Sequence, residues 1–165
     1  MRTSKLSLAV LALVVFGASA AQAQTNNASI TATANVQTPI NVLGAQALDF
    51  QNVFPGVIKI VPATDLAFAG RFDVTGQASA PVTLSFTLPA TLSSGANTMP
   101  IDTYTGIHAD NSSQTGGTVF TPVSGASPTL SATGGLFVWI GARVVPATNQ
   151  AQGTYTASVT MTVVY

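Results

Sequence analysis

An all-β fold, a single immunoglobulin-like antiparallel β-sandwich following an export signal, is what this sequence predicts. Three observations carry that prediction: stretches in which apolar and polar residues alternate, a composition suited to pleated strands, and proline or glycine wherever the alternation stops. The clearest stretch is Gly153 to Tyr165, where Tyr155, Ala157, Val159, Met161, Val163 and Tyr165 share one face and Thr154, Thr156, Ser158, Thr160 and Thr162 the other. A strand this apolar on one side must be paired and covered, because a bare edge of this kind templates aggregation.

Arg2 and Lys5 precede the apolar run Leu6 to Gly17, and Ala21-Gln22-Ala23 supplies the small residues of a signal-peptidase site. The run is shorter than the roughly 20 residues that span a bilayer. Residues 1–23 are therefore expected to be a cleaved signal peptide, placing the protein in the periplasm, at the cell surface or outside the cell. Residues 24–165 are expected to form one domain with no transmembrane helix.

Between Gln24 and Tyr165 the only cations are Lys59, Arg71 and Arg143, against five aspartates and no glutamate. Without a basic patch, nucleic acid and anionic membranes are not expected partners. The same stretch holds 22 threonines, which suit strands better than helices. A chain of this length buries about two thirds of its surface. It contains no cysteine, so core and ladder must supply its stability without disulfides.

The elements follow in order. Ser29 to Val36 alternates with Ile30, Ala32, Ala34 and Val36 on one face, and after Pro39 the pattern resumes at Ile40 to Val42. Leu48 to Phe50 reads as a short strand, Asn52 to Gly56 as a turn, and Val57 to Val61 as a strand ended by Pro62. Arg71 to Thr75 and Val82 to Leu88 come next, separated by a loop and stopped by Pro89. Ile101 to Ile107 can be a strand, whereas polar, glycine-rich His108 to Thr118 reads as a surface loop. From Leu136 to Val145 both faces carry apolar residues, so this strand should be central. Pro146 to Gly153 is the turn into the closing strand.

No constellation for catalysis emerges. His108 is the sole histidine, so any triad would need it with Asp102 or Asp110, and no Gly-x-Ser-x-Gly elbow is present. Asp73 and Asp102 lack the local context of a carboxylate pair. Asp110, Asn111 and Ser112 offer oxygen ligands without the spacing of a calcium loop, and zinc or copper would need more histidines or thiols. The expectation is therefore no catalytic, metal or cofactor site. Trp139, beside Phe137, is a candidate sugar-stacking contact if exposed and a core residue if not. Arg71 and Arg143 are expected to pair with Asp73 or Asp49 at the sheet rim.

Several motifs carry a resemblance. Ile30-Thr31-Ala32-Thr33-Ala34, Leu48-Asp49-Phe50 before Pro55-Gly56, Phe72-Asp73-Val74-Thr75-Gly76, Val82 to Pro89, and above all Asn149 through Thr154-Tyr155 to Tyr165 resemble an exported bacterial family, catalogued as domain of unknown function 4402. The resemblance covers nearly all of the chain after residue 23. Its closing pattern is also similar to that of chaperone-usher pilins and spore-coat-U-like subunits, although the cysteine pair common in pilins is missing. This implies a pilin-like sandwich and a fimbrial, matrix or adhesin-like structural role. Assembly would proceed by strand addition with other copies, a fimbrial subunit or a chaperone. The strands expected to take part are Ile30, Ala32, Ala34 and Val36 as donor, with Tyr155, Val159, Met161, Val163 and Tyr165 at the acceptor edge. The first strand could instead complete its own sandwich. A monomeric carbohydrate-binding module and a small outer-membrane β-barrel are the alternatives.

Overall fold

The computed structural model describes residues 26–165, so the signal peptide expected over residues 1–23 lies outside the described residues. Contacts divide the chain into two units, Met1–Asn35 and Val36–Tyr165. Of the first unit, residues 26–35 are described. They contain no strand or helix and are exposed throughout. This corrects the expected strand over Ser29–Val36. An alternating pattern fixes which side chains share a face, but a strand also needs a neighbouring edge for its backbone, and these residues have none among the described residues.

The second unit is an antiparallel β-sandwich. Its strands are β1 (Asn41–Gln46), β2 (Lys59–Val61), β3 (Gly70–Thr75), β4 (Thr83–Thr87), β5 (Thr91–Ser94), β6 (Asn97–Ala109), β7 (Thr118–Phe120), β8 (Gly135–Val144) and β9 (Thr160–Val164). One layer runs β1-β3-β8-β6, with β2 beside β3 on the same edge of β8 and β7 and β5 on β6. The other layer is built on β4 and β9, and Leu84 and Pro81 bridge onward to Ala126 and Thr129.

β8 is central, as its two apolar faces imply. Leu136, Val138, Ile140 and Val144 are at most 2% exposed and join Val74, Val82, Leu84 and Met161 in one core. The opposite face is also covered. Gly141 lies against the Val61–Ala63 backbone so closely that a Cβ would collide with it. Trp139, on that face, is 1% exposed. Its ring stacks with Phe137 at 6.1 Å, and Arg71 and Ile107 stand opposite it on the neighbouring strands.

Several expectations need correction. Leu48–Phe50 forms no strand: it is irregular chain, tied down where the Asp49 N–H donates to the Phe68 carbonyl at 2.9 Å. β5 and β6 form a hairpin that the pattern did not announce, turning at Gly95 with φ +59°. β6 begins at Asn97 and runs to Ala109, so His108 sits in a strand, paired to Val138, rather than in a loop. Arg143 pairs with Asp102 through two hydrogen bonds of 2.7 and 2.8 Å, not with Asp49. Arg71 does meet Asp73. Its Nε lies 2.9 Å from Oδ1 without the alignment of a hydrogen bond, and Nη2 donates to Oδ2 at 3.3 Å.

Candidate functional site

The closing segment is expected as one strand from Gly153 to Tyr165, but β9 occupies only Thr160–Val164. The cause lies in its partner. β4 ends at Thr87 and β5 begins at Thr91, with Pro89 between them, and the closing segment pairs first with β5, through Ser93 and Thr156, then with β4. Proline offers no N–H to a ladder, so the pairing is broken opposite it. The segment therefore spends one edge on β5 and β4. No backbone hydrogen bond is made to its other edge from Thr154 to Val159 among the described residues.

That free edge borders a groove of about 1230 Å³. One wall is the chain from Gly44 to Pro55, leading out of β1, and the other is Gln150 to Val159. The floor is Phe72, Leu92, Met99, Ile101, Ile140 and Val144, which belong to the domain core or pack against it. Among the described residues Asp49 is the only charged one lining the groove, and its Oδ1 already accepts the Gln51 N–H at 2.7 Å. The sandwich is thus open between the end of β1 and the start of the closing segment, where an apolar channel meets an unpaired backbone.

A knot of hydrogen bonds holds the second wall. Gln150 Nε2 donates to the Thr98 carbonyl at 3.1 Å and to the Tyr155 hydroxyl at 2.7 Å, while its Oε1 accepts the Ala147 N–H at 3.1 Å. The Tyr155 hydroxyl donates in turn to the Ala151 carbonyl at 2.8 Å. Gly153 packs on β5, where a Cβ would lie 2.5 Å from Ser94 Oγ. The Gly-x-Tyr motif is therefore a close backbone approach followed by a tied aromatic.

At the other end of the same strands the gap is closed. The Tyr165 hydroxyl accepts the Gln77 N–H at 2.7 Å and donates to the Thr38 carbonyl.

The expected acceptor residues divide by depth. Tyr155 and Val159 line the groove, Met161 is core at 7% exposed, Val163 packs against the core, and Tyr165 is 45% exposed at the closed end. On the donor side, Ile30 and Val36 are 95% and 93% exposed, and Ala32 and Ala34 are exposed as well. No protein-family model matches the chain, and no curated protein matches it.

The groove-lining residues of the first wall, Leu48 to Val53, read in the sequence as a short strand and a turn and give no sign of a groove. They are an irregular stretch whose role appears only once β1 and the closing segment stand apart. Trp139 is corrected as a ligand contact, because burial leaves its indole no face for a sugar. His108 is half-buried beside Phe120, with ring centroids 5.8 Å apart, and burial holds its pKa below 6.5. Asp102 is engaged by Arg143, which holds its carboxyl below the ordinary aspartate value. Among the described residues no group of three or more potential metal ligands comes together, and no helix is long and apolar enough to cross a membrane.

Proposed function

We propose that this protein is an exported structural subunit, of a fimbrial, matrix or adhesin-like kind, whose open sandwich is completed by an added strand. The observation that carries this reading is the groove itself: an apolar floor continuous with the core, walled by a segment with an unpaired backbone edge. Strand addition uses both features, since main-chain hydrogen bonds provide affinity and alternate side chains fill the channel.

Ser29–Val36 has the matching chemistry. It presents Ile30, Ala32, Ala34 and Val36 at every second position, carries no charged residue, and is exposed. We read the protein as non-catalytic and place it near the exported family that it resembles. The signal-like residues 1–23 support export.

The test is removal and return of the segment. The chain lacking residues 29–36 should give no multimers by light scattering or fibres by microscopy. A synthetic peptide spanning residues 26–38 should then bind it and raise its melting temperature. Unchanged multimers in the deleted chain, or a peptide without effect on melting, would reject the reading.

A further inference from the structure

The end of the sandwich where β2 and β6 begin and β8 finishes is capped by turns without charge, and one of those turns is apolar. We propose that this turn, Phe54 to Val57, and the residues that lead from it into β2 dock on the surface of a lipid bilayer, with Lys59 at the phosphate headgroups. The proposal does not depend on what fills the groove.

Four large apolar side chains are exposed within seven residues: Phe54 at 66%, Val57 at 55%, Ile58 at 52% and Ile60 at 61%. Their backbone is fixed. The Val57 N–H donates to the Phe54 carbonyl at 3.0 Å, closing a turn over Pro55 and Gly56, where φ is +72° and favours glycine. The Gly56 N–H donates to the Ala147 carbonyl at 3.0 Å, and a Cβ on Gly56 would lie 3.4 Å from Thr148 Cγ2. The apolar turn is thus braced against the turn that follows β8. Docking through it carries little cost of loop ordering.

The charges around the turn indicate what covers it. Residues 50–58, 94–101 and 144–158 hold no charged side chain. Of the carboxylates beside them, Asp49 accepts the Gln51 N–H and Asp102 is taken by Arg143. Lys59 forms no ion pair among the described residues. An apolar tip with neutral neighbours and one unpaired cation behind it complements a bilayer, whose acyl boundary takes up the side chains while its phosphates meet the ammonium. Lys59 stands about 7 Å behind Val57 at roughly 3.4 Å per residue, within the roughly 5–10 Å to which interfacial elements are buried. The domain has no basic patch and needs none here, because the apolar side chains do the inserting. A second copy fits less well, since a two-fold contact through this turn would crowd two unpaired Lys59 side chains together.

The chain has no cysteine, so a polarity-sensitive nitrobenzoxadiazole label can be placed at a single position. On Val57→Cys, vesicles of equal parts phosphatidylcholine and phosphatidylglycerol should shift its emission to the blue, and spin-labelled acyl chains should quench it. The same label on Ser112→Cys, beyond the far end of β6, should show neither effect. Ile58→Thr with Ile60→Thr, which do not line the groove, should weaken binding to these vesicles by roughly tenfold or more, and Lys59→Gln by about fivefold. None of these three side chains belongs to the core, so melting temperatures should stay at the parent's, and the label at position 57 tests the proposal without them. No blue shift at position 57, an equal shift at position 112, or a vesicle affinity unmoved by either set of substitutions would overturn the proposal. So would a shift at position 57 that follows protein concentration without vesicles, which would assign the turn to a second copy. The groove reading stands or falls separately, on peptide binding.

Discussion

Shortening the two large side chains of the exposed segment tests the groove reading quantitatively. Ile30 and Val36 are 95% and 93% exposed, so nearly all of their apolar surface is available for burial. Ile30→Ala with Val36→Ala removes five carbons from the segment. At about 0.8 kcal/mol per buried CH₂, the loss on binding is about 4 kcal/mol, or roughly a thousandfold in affinity. Neither substitution should touch the stability of the sandwich, because neither side chain contributes to its core. The assay is fluorescence anisotropy with labelled peptides spanning residues 26–38, titrated with the chain lacking residues 29–36. Thr31→Ala with Thr33→Ala, on the opposite face, serves as the control and should change affinity by less than about fivefold, since no apolar surface is lost from the buried side. A double apolar variant that binds within about fivefold of the parent would refute the argument, because the groove would then not be reading that face.

Three further outcomes follow from the packing. Trp139→Ala should cost about 3–5 kcal/mol of stability in chemical denaturation, as for a large core aromatic; a loss near zero would restore the exposed-platform alternative. Gly153→Ala should lower stability by about 1–3 kcal/mol through collision with Ser94 Oγ, and adding Ser94→Ala should recover most of it. Burial lowers the His108 pKa in the folded state, so protons bind the unfolded chain more readily. Stability should therefore be fully present above about pH 6.5 and decline as pH falls below it. Melting temperatures of the parent should drop between pH 7.5 and 5 by more than those of His108→Gln, and parallel curves would contradict the assignment.

How much was legible varies with the kind of constraint. Leu136 to Val144 announced a central strand because both its faces are apolar, and β8 is covered on both sides. Val82 to Leu88 and Arg71 to Thr75 likewise became β4 and β3, with Pro89 ending the former. Partners are a different matter. The alternation of Ser29–Val36 is as clean as that of β4, yet only β4 has an edge to pair with, and pattern alone does not report edges. Nor does it report interruptions imposed from across the sheet: the closing segment reads as thirteen unbroken residues, and Pro89 in the opposing strand divides it. β5 escaped notice because Thr91-Leu92-Ser93-Ser94 is short and polar, and so did the start of β6, Asn97 to Pro100, because Pro100 sits inside it, whereas Ile101 to Ile107 read as a strand and is one. Pro100 nevertheless uses its carbonyl, which accepts the Val145 N–H at 3.0 Å. His108 was drawn into the loop by its polar neighbours, while its own position faces Phe120. The groove was the least legible feature, since it is defined by what β1 and the closing segment fail to do to each other.

The most direct test is amide hydrogen exchange across Tyr155 to Val159, measured before and after the peptide spanning residues 26–38 is added to the chain lacking residues 29–36. These amides border the groove without a partner on that side, and an added strand should slow at least those that point into it by tenfold or more, equivalent to about 1.4 kcal/mol of protection. Exchange that stays as fast with the peptide bound as without it would show that the segment does not pair with this edge.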